Sequence, residues 1–580
     1  MDDRMDMENT SAQPDAPSPP GAAEALESIR ALERAGRLNA AWSRCRDVLR
    51  RDPHNGEAWF LLSGIEQQRK RNDAALEAID RALACDEANA PAFCRRGSLL
   101  RVLNRAEEAI ESHRRALALD PGYAEAHNNL GNCLRDLRRL EEAVEHYQQA
   151  VTLKPDYAQA HNNLGVTLRE LGRDEEAVRS LFRALTLRPD YANAHLNLGM
   201  ALLNQQKFAE ADGLLRRAVA QAPQDGAAHL QLANALLQMD RADDAEPILQ
   251  RAIALVPDHA EAEFALALVL LAQGRFAEGW RHYEARWRLP SGPNAPAAKQ
   301  IRTSVKPWNG EPLDGKAILV QSEQGLGDAI QFSRYVPLLA SRGARVTFLV
   351  QRSLVRLMAP LAAVAEVTAR ADHARAFNYR AALMGLPRIF GTDIGSIPRT
   401  EGPYLFAEPE RVAAWRARIG NEGFKIAICW QGTPNVRIDR GRSIPVSAFL
   451  PLAAQPGVRL ISVQKRHGLD QLQHLPAWMQ VETLQDFDEG PDAFLDTAAV
   501  MENCDLVVTS DTSVAHLAGA LDRPTWAALS TTADWCWLRE RRDSPWYRSV
   551  TLFRQRRSGD WSTVFADMAE ALGGLLGAKA

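Results

Sequence analysis

A spacing of 34 residues governs the first half of this 580-residue chain. Set in register, "YAEAHNNLGNCLRDLRRLEEAVEHYQQAVTLKPD" (123–156) and "YAQAHNNLGVTLRELGRDEEAVRSLFRALTLRPD" (157–190) agree at most positions. The pattern runs without a slip over eight units, from Gly21 to about Gly292. Small residues recur in two columns, Ala109, Ala143, Ala177, Ala211 and Ala245 in one and Ala116, Ala150, Ala184, Ala218 and Ala252 in the other. Such columns mark the lines along which two helices touch. A proline closes most units (Pro53, Pro121, Pro155, Pro189, Pro223, Pro257), where it ends a helix it cannot continue. Each unit is therefore expected to be a helix–turn–helix that buries its apolar face only against its neighbours.

This period and its small–large pattern resemble the tetratricopeptide repeat. One polar column interrupts the apolar logic: Asn129, Asn163, Asn197 and Gln231 hold equivalent places in successive first helices. Asparagine is a mediocre helix former, and a primary amide both donates and accepts. The column reads as a ladder for an extended polypeptide backbone, or as the solvated concave face of the array. The parallel column of His127, His161, His195 and His229 is spaced too widely for a shared metal and is expected to pack at helix starts. The last unit, "FAEGWRHYEARWRLPSG", replaces small residues with Trp280, Arg286 and Trp287. A terminal repeat needs a capping surface, and this one is expected to pack on the domain that follows.

Composition narrows the function classes. The net charge is −4, which argues against nucleic acid as a partner. Seven scattered cysteines without a CxxC pair read as reduced thiols, with neither a disulfide framework nor a zinc site. The first twenty residues, acidic and rich in Pro and Ser, lack the basic start and apolar run of a signal peptide and read as a disordered tail. No apolar run reaches the ~18 residues needed to span a bilayer. A cytoplasmic location is expected.

After a Pro/Gly/Ala linker (293–306) the period changes. "AILVQ" (317–321), "RVTFLV" (345–350), "KIAICW" (425–430), "VRLISVQ" (458–464), "CDLVVTS" (504–510) and "PTWAAL" (524–529) are short apolar runs separated by helical stretches. This is the pattern of parallel sheets covered on both faces. The Pro- and Gly-rich region near 395–410 divides them into two Rossmann-like halves, 307–405 and 406–580, the second ending in a helix. The domain plan is then a tail (1–20), an all-α repeat solenoid (21–292), a linker and an α/β domain with a cleft, where ligands meet the carboxyl ends of strands.

Three loops in that domain carry chemistry. "EQGLGDAIQF" places Gly325 and Gly327 before Asp328 at a helix start; as a dinucleotide fingerprint it fails, because Ile330 stands where a third glycine or alanine is needed. "CWQGTPNVRIDRGRS" leaves a strand with Gln431 and carries Arg437, Arg440 and Arg442, guanidinium forks suited to phosphate or a solvated basic loop. "VVTSDTSVAHLAGAL" ends a strand at Ser510, Asp511, Thr512 and Ser513, with His516 on the first helical turn. The free N–H groups of such a helix start favour an anionic phosphate, although caps of this composition are common. Two further features stay open. Asp486 and Asp488 form a DxD, a divalent-cation motif in other transferases, in what reads as a loop before a helix. Trp535, Trp537 and Trp546 stack on a base or sugar, or pack between domains.

Taken together, "PWNGEPLDGKAILVQSEQGLGDAIQFSRYVPLLASRGARV", "CWQGTP…DRGRS", "DTSVAHLAGALDRPTWAAL" and "DWCWL" resemble the GT-B glycosyltransferase domain found fused to tetratricopeptide arrays in bacteria, and through it the ADP-heptose lipopolysaccharide heptosyltransferases. The resemblance spans about 307–555. It implies that Asp328 is the base on the acceptor hydroxyl and that Gly325 and Gly327 belong to the acceptor-side loop. The donor-binding candidates are Gln431, Arg440, Arg442, Asp511, Thr512, Ser513 and His516, with Arg440 or Arg442 taking the phosphate role. The domain order also resembles the O-GlcNAc transferases, and more closely the repeat-bearing flagellin glycosyltransferases, which use a nonulosonic acid donor. The expected protein is a metal-independent glycosyltransferase without a cofactor. It moves a sugar from a nucleotide donor to a hydroxyl of a protein acceptor, a flagellin in the nearest parallel, held by Asn129, Asn163, Asn197 and Gln231. A transferase acting on lipopolysaccharide or another glycan, or a repeat scaffold with a non-catalytic domain, are the alternatives.

Overall fold

The computed structural model of the protein describes residues 22–289, 305–370, 376–433 and 441–579. The expected tail, linker residues 293–304, and Arg437 and Arg440 lie outside the described residues.

Among the described residues of the repeat half, sixteen helices form eight pairs, and their starts keep the period: first helices begin at Ala22, Gly56, Ala90, Ala124, Ala158, Ala192, Gly226 and Ala260. The two alanine columns sit where the helices cross, and all ten residues are 0 % exposed. A larger side chain there would force the helices apart. Glycine serves the same end in the first helices. A Cβ on Gly131 would lie 2.7 Å from Tyr147 Cε1, and one on Gly165 would lie 2.5 Å from Leu181 Cγ. The second helices stop at an extended residue, such as Asp120 (φ −136°, ψ 91°) or Arg188 (φ −139°, ψ 91°), directly before the closing proline. Proline's ring excludes helical backbone from the residue it follows.

The chain divides into two compact units, Met1–Pro223 and Gln224–Ala580. The first contains the first six repeats. The second contains the last two repeats together with the α/β part. Within this second unit the degenerate eighth repeat packs as a cap: Phe276, Trp280 and Tyr283 are 1–2 % exposed. The Trp280 ring lies 5.3 Å from that of Trp535, and Phe332 lies 5.3 Å from Trp546. Trp280 Nε1–H donates to the Thr392 carbonyl (3.1 Å). Removing such a buried indole typically costs about 3–5 kcal/mol. The tryptophans of the "DWCWL…SPWY" segment therefore serve packing: Trp535, Trp537 and Trp546 are all buried. Trp287 differs from its neighbours in the cap and stays exposed.

The α/β part holds two parallel sheets. The first has strands β1 (Ala317–Gln321), β2 (Arg345–Leu349), β3 (Ala365–Thr368) and β4 (Tyr379–Ala382), ordered β3-β2-β1-β4. The second has β5 (Phe424–Cys429), β6 (Val458–Ser462), β7 (Val481–Glu482), β8 (Leu506–Ser510), β9 (Thr525–Leu529) and β10 (Val550–Arg554), ordered β10-β9-β8-β5-β6-β7. β8 and β9 are buried at every residue, as central strands covered on both faces must be. Five helices matter below: α1 (Leu326–Phe332), α2 (Pro409–Ile419), α3 (Leu495–Glu502), α4 (Ser513–Ala520) and α5 (Ser562–Lys579). The chain passes from one sheet to the other at Tyr404 and Leu405, whose N–H groups donate to the Ala520 carbonyl.

Candidate active site

In each sheet the chain starts centrally and later reverses direction, leaving a crevice at the carboxyl ends of two adjacent strands. In the first sheet the crevice opens between β1 and β4, and in the second between β5 and β8. Ligands of open parallel sheets bind at such points. The three chemically loaded loops leave β1, β5 and β8 there.

The β1 loop runs Ser322–Gly325 into α1. Asp328 occupies the third position of that helix, where its Oδ2 accepts the Gly325 N–H (2.9 Å). Acidic residues in a first turn are favoured by unpaired N–H groups and the helix dipole. Burial acts against that benefit and dominates, and with the smaller contributions of Glu323 and Asp511 it pushes the Asp328 carboxyl up to about 6. Gly327 has a steric reason. A Cβ there would lie 2.9 Å from His516 Cδ2 and 3.4 Å from Ser513 Cα. The glycine thus lets α1 of the first sheet press directly on the start of α4 of the second, and the two loops form one site.

On the α4 side, Thr512 is the cap, its Oγ1 accepting the Val514 N–H (3.3 Å). Ser513 begins the helix, half-buried. Asp511 points away from solvent: its Oδ1 accepts the Trp537 indole N–H (2.7 Å) and its Oδ2 the Asp534 N–H (3.0 Å). His516 is buried too, with Nδ1 3.0 Å from the Tyr547 hydroxyl and its ring stacked 5.1 Å from Trp537. Burial depresses its pKa to about 4, so the ring is neutral near pH 7. Of the four residues expected on the donor side here, Thr512 and Ser513 front the helix start, while Asp511 and His516 hold the scaffold behind it.

Arg442 joins them from the β5 loop. A Cβ on Gly432 would stand 3.2 Å from Arg442 Nη2 and 3.4 Å from Thr512 Cγ2, so this glycine leaves room for a guanidinium beside the α4 start. Arg442 Nε is buried without a hydrogen-bond partner among the described residues. Gln431 is held from both sides: its N–H donates to Gln464 Oε1 (3.0 Å), and its Oε1 accepts from Gln471 Nε2 (3.3 Å). Beyond Gln464, a cavity of about 280 Å³ lies at the carboxyl ends of β6 and β7, lined by Ser462, Gln464, Lys465, Leu472, Thr483 and Phe487 among others.

Two acidic residues belong to this site although no motif announced them. Glu323 is 3 % exposed, and burial pushes it up to about 7 against the opposing pull of Arg286. Asp534 keeps access to solvent, yet desolvation by dense surrounding protein, with the Asp511 and Asp328 carboxylates adding, raises it to about 7. The only signal for either was position: Glu323 two residues beyond a strand, Asp534 at the head of "DWCWL".

The DxD pair does not converge. Asp486 is exposed. Asp488 is buried at the start of α3, where its Oδ1 accepts the Asp496 N–H (2.7 Å), its Oδ2 accepts from the Thr497 hydroxyl, and its own N–H donates to Asp496 Oδ2 (2.9 Å). That reciprocal pair is a helix cap.

In the first compact unit the asparagine column forms a ladder on itself. Asn163 Nδ2 donates to Asn128 Oδ1 (3.0 Å) and Asn132 Oδ1 (3.1 Å), and Asn197 Nδ2 donates to Asn162 Oδ1 (3.0 Å). Asn129 Nδ2 reaches Ser98 Oγ (3.4 Å). Gln231, in the second unit, is half-buried. The histidines fix helix starts: His161 and His195 Nε2 lie 3.1 and 2.9 Å from the carbonyls of Pro155 and Pro189.

Comparison with known proteins defines the class first. Residues 26–90, 202–254 and 230–296 match tetratricopeptide-repeat models, and three windows between 97 and 206 match a TPR repeat model. Residues 453–557 match the model of glycosyltransferase family 9 (heptosyltransferase). The chain is a tetratricopeptide-repeat array followed by a heptosyltransferase-like domain, and that domain supports glycosyltransferase activity. The family-9 match includes α4 and the tryptophan segment but begins beyond Asp328 and Arg442. Among individual proteins, the chain is 28 % identical over 326 residues to protein FlbA of Caulobacter vibrioides, a match covering 52 % of this chain and 53 % of FlbA. It thus spans about half the length of this curated relative. Solved structures include MamA (25 % identity, 28 % of this chain and 96 % of that one, TM-score 0.27) and YrrB, described as a TPR protein with an unusual peptide-binding site (25 %, 33 % and 98 %, TM-score 0.28). No described helix is long and apolar enough to cross a membrane.

Proposed function

We propose that the chain is a metal-independent GT-B glycosyltransferase that moves a sugar from a nucleotide donor to a hydroxyl of a protein acceptor captured by the repeats. One observation carries this reading: the close approach of Gly327 to Ser513 and His516 sets the Asp328 carboxylate beside the helix start at which Arg442 stands. A base and an anion-stabilising group then share one site.

In the reaction, the acceptor hydroxyl gives its proton to Asp328 as its oxygen bonds to the anomeric carbon. The bond from that carbon to the donor phosphate breaks, and the electron pair leaves with the phosphate. A base near 6 is well matched to this task. Arg442 and the free N–H groups of α4 stabilise the departing charge, which makes a bound metal unnecessary. The cavity beyond Gln464 accommodates the nucleoside, with the Phe487 ring and leucines on its walls and Lys465 at its edge. On the acceptor side, the amides of Asn129, Asn163 and Asn197 in the first compact unit are already ordered by their neighbours, so little freedom is lost on binding; Gln231 of the second unit contributes a further amide. A flagellin is the acceptor class that the sequence resemblance favours.

The test is transfer by the purified full chain, using a panel of labelled nucleotide sugars and proteins extracted from cells lacking the gene. Label on a polypeptide supports the reading. Label confined to lipopolysaccharide or free glycan favours the glycan transferase, and absence of turnover with every donor favours the scaffold.

A further inference from the structure

The eighth repeat sends a buried cation into the site. Arg286 is 1 % exposed, and its Nη1 donates to Glu284 Oε1 (2.6 Å) and the Tyr283 carbonyl (3.3 Å). Its Nη2 lies 3.3 Å from Glu323 Oε1, at the end of β1. Glu323 in turn accepts the Met384 N–H, at 3.2 and 3.4 Å to its two oxygens, and so bridges the crevice between β1 and β4. The next residue is tied to the same repeat, since Gln324 Nε2 donates to the Tyr283 hydroxyl (2.8 Å). Gln351 Nε2 completes the clamp by donating to the Gln324 carbonyl (2.8 Å). The loop then delivers the Gly325 N–H to the Asp328 carboxylate.

Packing alone does not call for this arrangement. A buried ion pair is often no more stabilising than apolar residues of similar volume, and the surrounding aromatic cap would accept an apolar pair. What the pair does that an apolar one would not is hold the β1 loop in register by directional hydrogen bonds ahead of Asp328.

We infer that Arg286 of the last repeat is a positioning residue for Asp328, acting through the Glu323 carboxylate that it holds at the end of β1. The inference rests on the proposed role of Asp328. It makes the end of the array part of the transferase site, separate from any role of the repeats in holding an acceptor. The groups facing Asp328 are Glu323 from the β1 loop, Asp511 from the α4 side, Asp534 and Cys536 from the tryptophan segment, and Tyr283 from the repeat. Glu323 is the one that Arg286 holds directly.

The test titrates Asp328 directly in the unliganded full chain. The carbodiimide EDC with glycine ethyl ester modifies protonated carboxyls, and peptide mass spectrometry reads its yield at Asp328 across pH 4.5–8. In the wild type the midpoint should lie near 6. Glu323→Leu removes the acceptor that holds both Arg286 and the Met384 N–H and should displace the midpoint by releasing the β1 loop. Arg286→Met should displace it for the same reason. A wild-type midpoint in folded Glu323→Leu, or in folded Arg286→Met, overturns the inference. Melting curves identify any variant that has merely unfolded; the Arg286→Met, Glu323→Leu pair then replaces it, with the same displacement expected and an unmoved midpoint refuting the coupling. Loss of transfer in Asp328→Asn with both midpoints unmoved would leave the proposed function standing and sink only this inference. Full transfer by Asp328→Asn would sink the proposed function instead.

Discussion

Replacing Asp328 with asparagine separates chemistry from capping. The substitution preserves size and an oxygen able to accept the Gly325 N–H, but removes the proton acceptor. General-base catalysis is worth about 10²–10⁴-fold, or roughly 3–5 kcal/mol of barrier, so transfer should collapse by that factor. Stability should move the other way. The carboxyl sits at about 6 in place of its ordinary 3.8, so the folded chain holds this proton more tightly than the unfolded chain does. The stabilisation from that protonated group is present below about 3.8 and is lost as pH rises through 6. Above 6 the wild type carries a penalty of up to about 3 kcal/mol that the neutral asparagine escapes. At about pH 8 the variant should therefore melt no lower than the wild type, and higher if the full penalty applies. The assay is transfer rate against pH together with melting temperature. The wild-type rate should fall about tenfold for each pH unit below 6. A residue that only caps its helix would behave differently, because asparagine caps nearly as well as aspartate. Near-normal transfer by Asp328→Asn, or a wild-type rate flat between pH 5 and 7, refutes the reasoning.

Transfer should survive EDTA, since Arg442 and the α4 start supply the positive potential; activity lost on chelation and restored by manganese or magnesium would reject this. Arg442→Gln should lower transfer by about 10²-fold or more with little change in melting temperature, and a silent substitution would move the phosphate role elsewhere. Deleting residues 1–223 leaves the second compact unit whole and should abolish transfer to a protein acceptor while sparing donor hydrolysis; undiminished protein modification would remove the array from acceptor capture. His113 is 0 % exposed, without a hydrogen-bond partner among the described residues, and burial depresses it to about 4. Its contribution to stability is lost as pH falls from about 6.5 towards 4, so His113→Leu, matching Leu181 and Leu215 in the same column, should reduce acid sensitivity of the first unit in melting curves at pH 7 and pH 5.

Much of this was readable from the chain. A fixed 34-residue period leaves one way to stack helices, and the alanine columns fell where the helices cross. The six apolar runs became β1, β2, β5, β6, β8 and β9, within two residues at each end. Three strands escaped because periodicity had nothing to detect: β3 is "AEVT", β4 is "YRAA", and β7 has two residues; the apolar run of β10, "VTLFR", was readable and was missed behind an irregular segment. In the site, Asp328 and Thr512 were marked by local cap chemistry. Glu323, Asp534 and Arg286 were not, because their roles arise from long-range packing, Arg286 meeting Glu323 across 37 residues of sequence. Gly327 had read only as part of the loop before Asp328, and the close packing of α4 against it has no signal in the sequence. His516 had read as a donor-side group on a first helical turn, and in the fold its ring is buried against Tyr547 and Trp537.

The most direct test of glycosyl transfer to protein is the intact mass of surface and flagellar proteins from three strains: wild type, gene deletion, and deletion complemented with Asp328→Asn. The account predicts at least one protein that is heavier by a whole number of sugar residues in the wild type and unmodified in both other strains. Identical masses in all three strains, or full modification in the Asp328→Asn strain, would contradict it.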